Sequence, residues 1–342
     1  MGSNDAQRQS TSGIVAADVT MTFDDQDVVK SLDLAVEPGS IVGLIGPSGC
    51  GKTTTVRILT GLLTATNGRA TIDGVPAHDL TSRQRSRIGY LPQSPALFSD
   101  LSVWENLNFH ASMYGLPLRR RKRLRQLLEW VELSDDRSKR VRDTSGGMQR
   151  RLALAATFVH DPSYLFLDEP TAGIDPILRE KFWTHFRTLA SDGRTLLVTT
   201  QYVGEASFCD YVGLLSDGEL LMFDTPQNLR RAAFDGEVID VVLERTPSDE
   251  QLASLASLPL VIGEIDRVDH VTIRIVVRDA GEAITEISSG MARLGLEVVE
   301  ATEHVVDYDE AFVRVVERHR ASVASQPSSG QAAVEETVGA SS

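Results

Sequence analysis

The chain reads as an α/β fold with a largely parallel sheet, followed by a smaller α+β domain. Three observations carry that reading. Apolar runs of buried-strand length alternate with helical periodicity, as in Ile41–Ile45, Tyr164–Leu167 and Thr195–Thr200. Such alternation implies parallel strands joined by crossover helices. A glycine-rich loop, Gly46–Thr53, lies directly between one of these strands and a helix. After about Asn228 the pattern changes to β-α-β-β-α-β, the split βαβ arrangement.

Taken in order, Ile14 to Thr22 reads as a strand ending at Phe23, and Val28–Val36 as its neighbour across an Asp-rich turn. Asn67-Gly68 is a hairpin signal before Ala70–Ile72, and Asp73-Gly74 marks another turn. Arg87–Leu91 is a short strand running into a loop at Gln93. From Ser102 to Val131 apolar residues recur at helical spacing, broken into two helices at Gly115-Leu116-Pro117. Ser145 is placed to cap a helix over Gln149–Val159, and Ile177–Leu189 reads as another.

In the C-terminal part the expected strands are 237–244, 261–266, 270–278 and 296–306. Helices are expected over 248–258, 280–294 and 309–318. Residues 1–13 read as a disordered lead, and 321–342, polar and low in complexity, as a disordered tail.

Composition narrows the function. The formal net charge is −14 over 342 residues. From Arg231 onward there are 21 acidic and 9 basic residues, a net of −12, so residues 1–230 carry only −2. An acidic C-terminal third argues against nucleic acid as a partner. Two distant cysteines, Cys50 and Cys209, offer no disulfide framework or zinc spacing and suit a reducing cytosol. No apolar run approaches the ~18 residues that span a bilayer. The basic run Arg119–Arg123 admits two readings, a solvated helix face or attraction to anionic lipid headgroups.

Gly46-Pro47-Ser48-Gly49-Cys50-Gly51-Lys52-Thr53 fits G-x-x-x-x-G-K-[ST], the P-loop. Its glycines allow a tight turn whose N–H groups approach phosphate, and the following helix, which includes Thr54, adds positive partial charge. Lys52 is expected to reach the β- and γ-phosphates of ATP, and Thr53 to ligate Mg²⁺. Asp168, at a strand end, suits Mg²⁺ as well, and Glu169 suits activation of the attacking water. Cys50 is either a small filler or a thiol activated by the helix N-terminus, whose alkylation would block ATP.

With Ser145-Gly146-Gly147-Met148 added, the chain resembles the ATP-binding subunits of ABC transporters over about residues 14–230. The resemblance implies a P-loop NTPase fold with a mixed core sheet, an antiparallel β subdomain and a helical subdomain at about 96–160. It places Phe23 against adenine, Gln93 as the Q-loop glutamine at ATP and Mg²⁺, and Asp175 in the D-loop. Residues 145–148 become the signature that meets ATP held by a second copy. A homodimer, a separate transmembrane permease, and a cytoplasmic position on the inner face of the membrane follow.

Two departures stand out. The signature begins Thr-Ser-Gly-Gly-Met where the family commonly has Leu-Ser-Gly-Gly-Gln. The SGGM form, with the basic residues after it, is similar to the drug- and antibiotic-exporter branch, including daunorubicin-resistance-type ATPases. That branch also carries a C-terminal extension like the ferredoxin-like residues 237–318. Gln201 stands where the family places a switch histidine, so its catalytic role is expected to be γ-phosphate sensing without proton transfer. Alternatives to an exporter ATPase are a soluble ABC switch without a transport role and a regulatory subunit of impaired hydrolysis.

Overall fold

A computed structural model describes residues 13–262 and 265–325. The expected lead thus lies outside the described residues apart from Gly13, as does the expected tail from residue 326 on. The chain divides into two units, residues 1–229 and 230–342.

The first unit opens with β1 (Ile14–Phe23), β2 (Gln26–Val36) and β3 (Ile41–Ile45), then α1 (Lys52–Leu59), β4 (Asn67–Ile72) and β5 (Val75–Pro76). Next come α2 (Ser82–Arg85), β6 (Ile88–Leu91), α3 (Val103–Met113), α4 (Arg121–Trp130) and α5 (Gly146–Thr157). It continues with β7 (Tyr164–Asp168), α6 (Pro176–Ser191), β8 (Thr195–Thr200), β9 (Tyr211–Ser216) and β10 (Glu219–Asp224). Two sheets result. One is antiparallel, in the order β2-β1-β4-β5; the other, in the order β10-β9-β3-β8-β7-β6, is parallel except for the β10–β9 pair.

Burial follows from this arrangement. Every residue of β3, β7 and β8 is buried, as expected for parallel strands covered on both faces. β1 and β2 alternate between buried and open positions, because one face of their sheet meets solvent. Their inward side chains, among them Ile14, Val29 and Leu32, join Val56 and Leu59 of α1 and Phe166 of β7 in one core.

Asn67-Gly68 makes no hairpin. It opens β4, which pairs with β1 around an irregularity between Ala17 and Thr20. Gly68 has φ +76°, and a Cβ there would lie 2.0 Å from the Asp18 carbonyl oxygen. The glycine serves close approach at a bulge, a use that looks identical to a turn in sequence. Asp73-Gly74 does form a turn, with positive φ at both residues, between β4 and β5.

The basic run is only partly a solvated face. Arg120 is buried, with Nε donating to Asn108 Oδ1 at 2.9 Å and Nη1 to the Leu116 carbonyl at 2.8 Å. Arg123 donates to the carbonyls of Phe158 and Val159, closing the end of α5. Lysine could not serve either position, because each uses the fork of the guanidinium.

α7 (Pro226–Phe234) leads into the second unit. There β11 (Glu237–Leu243), α8 (Asp249–Ala256), β12 (Asp266–Arg267), β13 (Thr272–Val277), α9 (Ala280–Arg293), β14 (Val298–Glu303) and α10 (Tyr308–Ser325) follow. The sheet order is β12-β13-β11-β14, antiparallel throughout. Ile239, Val241, Ile273, Ile275 and Ile287 form its core.

Two expectations need correction here. Of the strand expected over 261–266, residues 263 and 264 lie outside the described residues; among the rest only Val261, in one bridge to Val277, and Asp266, in the two-residue β12, take part in strand pairing. Residues 321–325, expected in the disordered tail, are the last turn and more of α10.

Candidate functional site

The phosphate loop sits at the carboxyl end of β3, where α1 begins. Gly51 precedes α1 with φ +105°, and a Cβ would lie 2.6 Å from the Val28 carbonyl, so only glycine fits. Lys52 is 5% exposed, and its ammonium donates to the carbonyls of Gly46 (2.8 Å) and Pro47 (2.9 Å). A cavity of about 300 Å³ opens on the loop. Ser48, Gly49, Gly51, Lys52, Thr53 and Thr54 form one wall, and Val28, Gln93 and Glu169 complete it. Gln93 follows β6 and Glu169 follows β7, so the cavity collects the carboxyl ends of parallel strands, where ligands bind in open α/β sheets.

Asp168 is fully buried and tied on both oxygens. Thr53 Oγ1 donates to Oδ2 at 2.8 Å, and Thr199 Oγ1 donates to Oδ1 at 2.5 Å. The Thr199 hydroxyl also accepts the Glu169 N–H at 3.0 Å. Glu169 has φ +53°, the left-handed region that a glutamate enters at a cost of roughly 1–2 kcal/mol. Such strain persists only where surroundings over-determine it, and the Thr199 carbonyl, 3.0 Å from the same N–H, helps hold it. Beyond it, buried Glu205 accepts from Thr171 Oγ1 at 2.7 Å, and Arg179 lies 3.6 Å away.

Arg150, on α5, is the residue that sequence reasoning left without a role. It is buried, and its guanidinium bridges two loops. Nη1 donates to the carbonyls of Pro92 (2.7 Å) and Gln93 (2.6 Å). Nη2 donates to the carbonyls of Asp168 and Glu169, the latter at 2.7 Å. Burial pulls its pKa down, opposed by the nearby carboxylates of Asp168 and Glu169. One side chain therefore fixes both the Gln93 loop and the Asp-Glu strand end to α5. Thr199 was also missed; its signal was a hydroxyl directly after the apolar run Leu196–Val198, within a buried strand.

Other expected residues lie elsewhere. Ser145 caps α5, accepting from the Met148 N–H at 3.3 Å. Ser145 and Gly146 are exposed, and nothing lies within 4 Å of where a Gly146 Cβ would be. None of Ser145–Met148 lines the cavity. Asp175 caps α6 through the Leu178 N–H at 3.0 Å. Phe23, 42% exposed at the end of β1, and the exposed Gln201 after β8 are likewise not in the lining.

Cys50 departs from one of its two sequence readings. It is 5% exposed behind the loop, and burial raises its thiol pKa despite neighbouring Lys52. The filler reading fits, and the activated thiol does not.

The oxygen donors present, Thr53, Asp168 and Gln93, suit Mg²⁺, which takes few protein ligands and keeps waters and phosphate oxygens. Among the described residues no group of three or more His, Cys, Asp or Glu could hold a metal. A cation shared with nucleotide needs no such group, because phosphate oxygens and water complete its shell.

A glycine-rich loop facing a strand-end Asp-Glu pair at the carboxyl edge of a parallel sheet defines a P-loop nucleoside triphosphatase. Residues 29–172 match the family described as ABC transporter. The chain is 36% identical over 311 residues to the daunorubicin resistance ATP-binding protein DrrA3 of Streptomyces coeruleorubidus, covering 87% of this chain and 96% of that one. It is 36% identical over 233 residues to the probable multidrug ABC transporter ATP-binding protein YbhF of Escherichia coli (strain K12). That match covers 68% of this chain but spans only 40% of YbhF. Among solved structures, the dimeric post-hydrolysis MJ0796 cassette bound to ADP and Pi has a TM-score of 0.58 and 28% identity, covering 62% of this chain and 98% of that one. The chain belongs to the ATP-binding proteins of ABC transporters, and with them it is an ATPase.

Proposed function

We propose that the chain is the ATP-hydrolysing subunit of an exporter, and that it drives a separate membrane permease by ATP-dependent dimerisation. The observation that carries this reading is the incompleteness of the cavity. It gathers the phosphate loop, Gln93 and Glu169, while Ser145–Met148 stands outside it with Gly146 open and Gly147 half-buried. The start of a helix bearing two glycines presents N–H groups to an approaching anion. A second copy would bring that surface to the γ-phosphate. The names of DrrA3, a daunorubicin resistance protein, and YbhF, a probable multidrug transporter protein, support transport of drugs, and the MJ0796 dimer supports the paired arrangement.

In this reading residues 14–230 are the ATPase domain, with 96–160 its helical subdomain, and 237–318 a ferredoxin-like appendage. Lys52 and the loop N–H groups hold phosphate, and Phe23 packs on the adenine. Thr53, Asp168 and Gln93 would hold Mg²⁺, which when bound neutralises charge on the β- and γ-phosphates. Glu169 takes the proton of the attacking water, its backbone fixed by Thr199 and Arg150. Gln201 reports the γ-phosphate by hydrogen bonding, and Asp175 lies at the dimer seam. Among the described residues no helix is long and apolar enough to cross a membrane. Transport therefore rests on the proposed permease, with this chain on the cytoplasmic face.

The test is association. Glu169→Gln should trap an ATP-bound dimer in analytical ultracentrifugation, and wild-type turnover should rise with protein concentration. A monomer in saturating ATP, with concentration-independent turnover, would sink the proposal. Gln201 favours a second reading, a regulatory subunit of low turnover; a large rise in turnover for Gln201→His would support it.

A further inference from the structure

A second cavity, of about 760 Å³, lies in the first unit among α3, α4 and the segment before α5. Its lining carries four arginines, Arg121, Arg125, Arg137 and Arg140, against two carboxylates, Asp100 and Glu105. Both carboxylates are already engaged. Asp100 is paired with Arg142 at 2.9 Å. Glu105 closes the capping box of α3, accepting from the Ser102 N–H and hydroxyl at 2.8 Å each. These bonds hold the Glu105 carboxyl below its usual range, with Arg140 adding a smaller attraction.

The arginines have no such engagement. All four are exposed, and none of the four guanidinia has a hydrogen-bond or ion-pair partner among the described residues. They also sit against the local rules of the helices. Arg121 starts α4, whose first turn holds no acidic residue and continues with Lys122 and Arg123. Positive charge at a helix N-terminus opposes the dipole. Arg121 and Arg125 are four residues apart, a like-charge pair on one face. Local choices that work against the fold mark places where function sets the sequence. A bound anion would reverse both penalties at once.

We propose that this cavity is an anion site for a phosphate group, reached from two walls by Arg121 and Arg125 on α4 and by Arg137 and Arg140 on the facing segment. Planar guanidinia match phosphate oxygens through paired hydrogen bonds, which is why arginine suits such sites. The cavity is separate from the phosphate loop, with no lining residue in common. The phosphate is carried either by an anionic lipid headgroup or by a small solute, and both present the same chemistry.

The test uses the full chain with its nucleotide site saturated by ADP and Mg²⁺. One arm titrates inorganic pyrophosphate by calorimetry. The other floats the protein with phosphatidylglycerol vesicles and with phosphatidylcholine vesicles. Arg121→Gln with Arg125→Gln should weaken binding about tenfold or more, the worth of a lost charge-assisted bond. Arg137→Gln with Arg140→Gln should do the same from the opposite wall. Arg119→Gln with Lys122→Gln removes equal charge from the same run outside the lining and should change little. Loss confined to pyrophosphate assigns a free solute; loss confined to phosphatidylglycerol assigns a headgroup. Binding in neither arm, or equal loss in the Arg119 and Lys122 control, overturns the proposal.

Discussion

Replacing Arg150 by methionine isolates the tie between α5 and the two loops. Methionine keeps a long apolar stem and removes the fork. The Asp168 carbonyl lies in a buried strand end and loses a charge-assisted partner, at about 1–3 kcal/mol. The Glu169 carbonyl keeps the Ala172 N–H at 3.2 Å. Pro92 is half-buried and Gln93 exposed, and both bonds are only partly buried, so water can replace them there, which is nearly as good. Methionine also relieves the cost of dehydrating a guanidinium. The expected net destabilisation is therefore modest, about 1–3 kcal/mol, and urea unfolding measures it. Turnover should fall by more. With the tie cut, Gln93 and Glu169 lose a common support, and a displacement near 1 Å costs about 10²-fold. Arg150→Lys keeps the charge but serves fewer carbonyls, so it should fall between. The assay is steady-state phosphate release with ATP binding measured in parallel. A methionine variant with wild-type turnover would show that Arg150 packs α5 and positions nothing.

Three further outcomes are expected. Glu169→Gln should abolish phosphate release by about 10²-fold or more while ATP binding persists, since it removes a base and no phosphate contact; retained turnover assigns the base elsewhere. In the native protein neither Cys50 nor Cys209 should react with maleimide at pH 7.5, because both are buried and burial raises both thiol pKa values; rapid labelling that denaturant does not accelerate would contradict this. In the second unit, two hydrogen bonds from Arg274 hold Asp240 below its usual 3.8, opposed by partial burial and helped by His304. A folded-state pKa below the unfolded one means stability is present above 3.8 and lost as pH falls through the folded value. Asp240→Asn should flatten the acid limb of the unfolding curve, and an unchanged limb would assign the acid sensitivity to other carboxylates.

The parallel sheet was legible because β3, β7 and β8 are buried throughout, which leaves continuous apolar runs in the sequence. The phosphate loop was legible for a different reason: its spacing is dictated by backbone geometry, so residue types at fixed offsets suffice. Arg150 was not, because an arginine in a helix ordinarily reads as a solvated cation, and only tertiary packing turns it toward four carbonyls. Arg120 and Arg123, read with their run as a solvated face or a lipid contact, hid their structural roles on the same ground. Asn67-Gly68 misled because positive φ at a bulge and at a turn select the same residue. Cys50 stayed open between two readings because helix-start electrostatics favour a thiolate while burial disfavours it, and burial is not written locally. The roles of Ser145–Met148 and Gln201 came from family resemblance alone; within one chain these residues lie outside the cavity.

The left-handed backbone at Glu169 sets two selective pressures against each other. Glycine there would adopt φ +53° without steric cost, and asparagine would do so more easily than glutamate. A variant library screened for heat resistance alone should thus drift away from glutamate at this position. The survivors would be sturdier proteins that bind nucleotide and no longer turn it over. Stabilising this chain for use as a working ATPase requires that residue 169 be left out of the search.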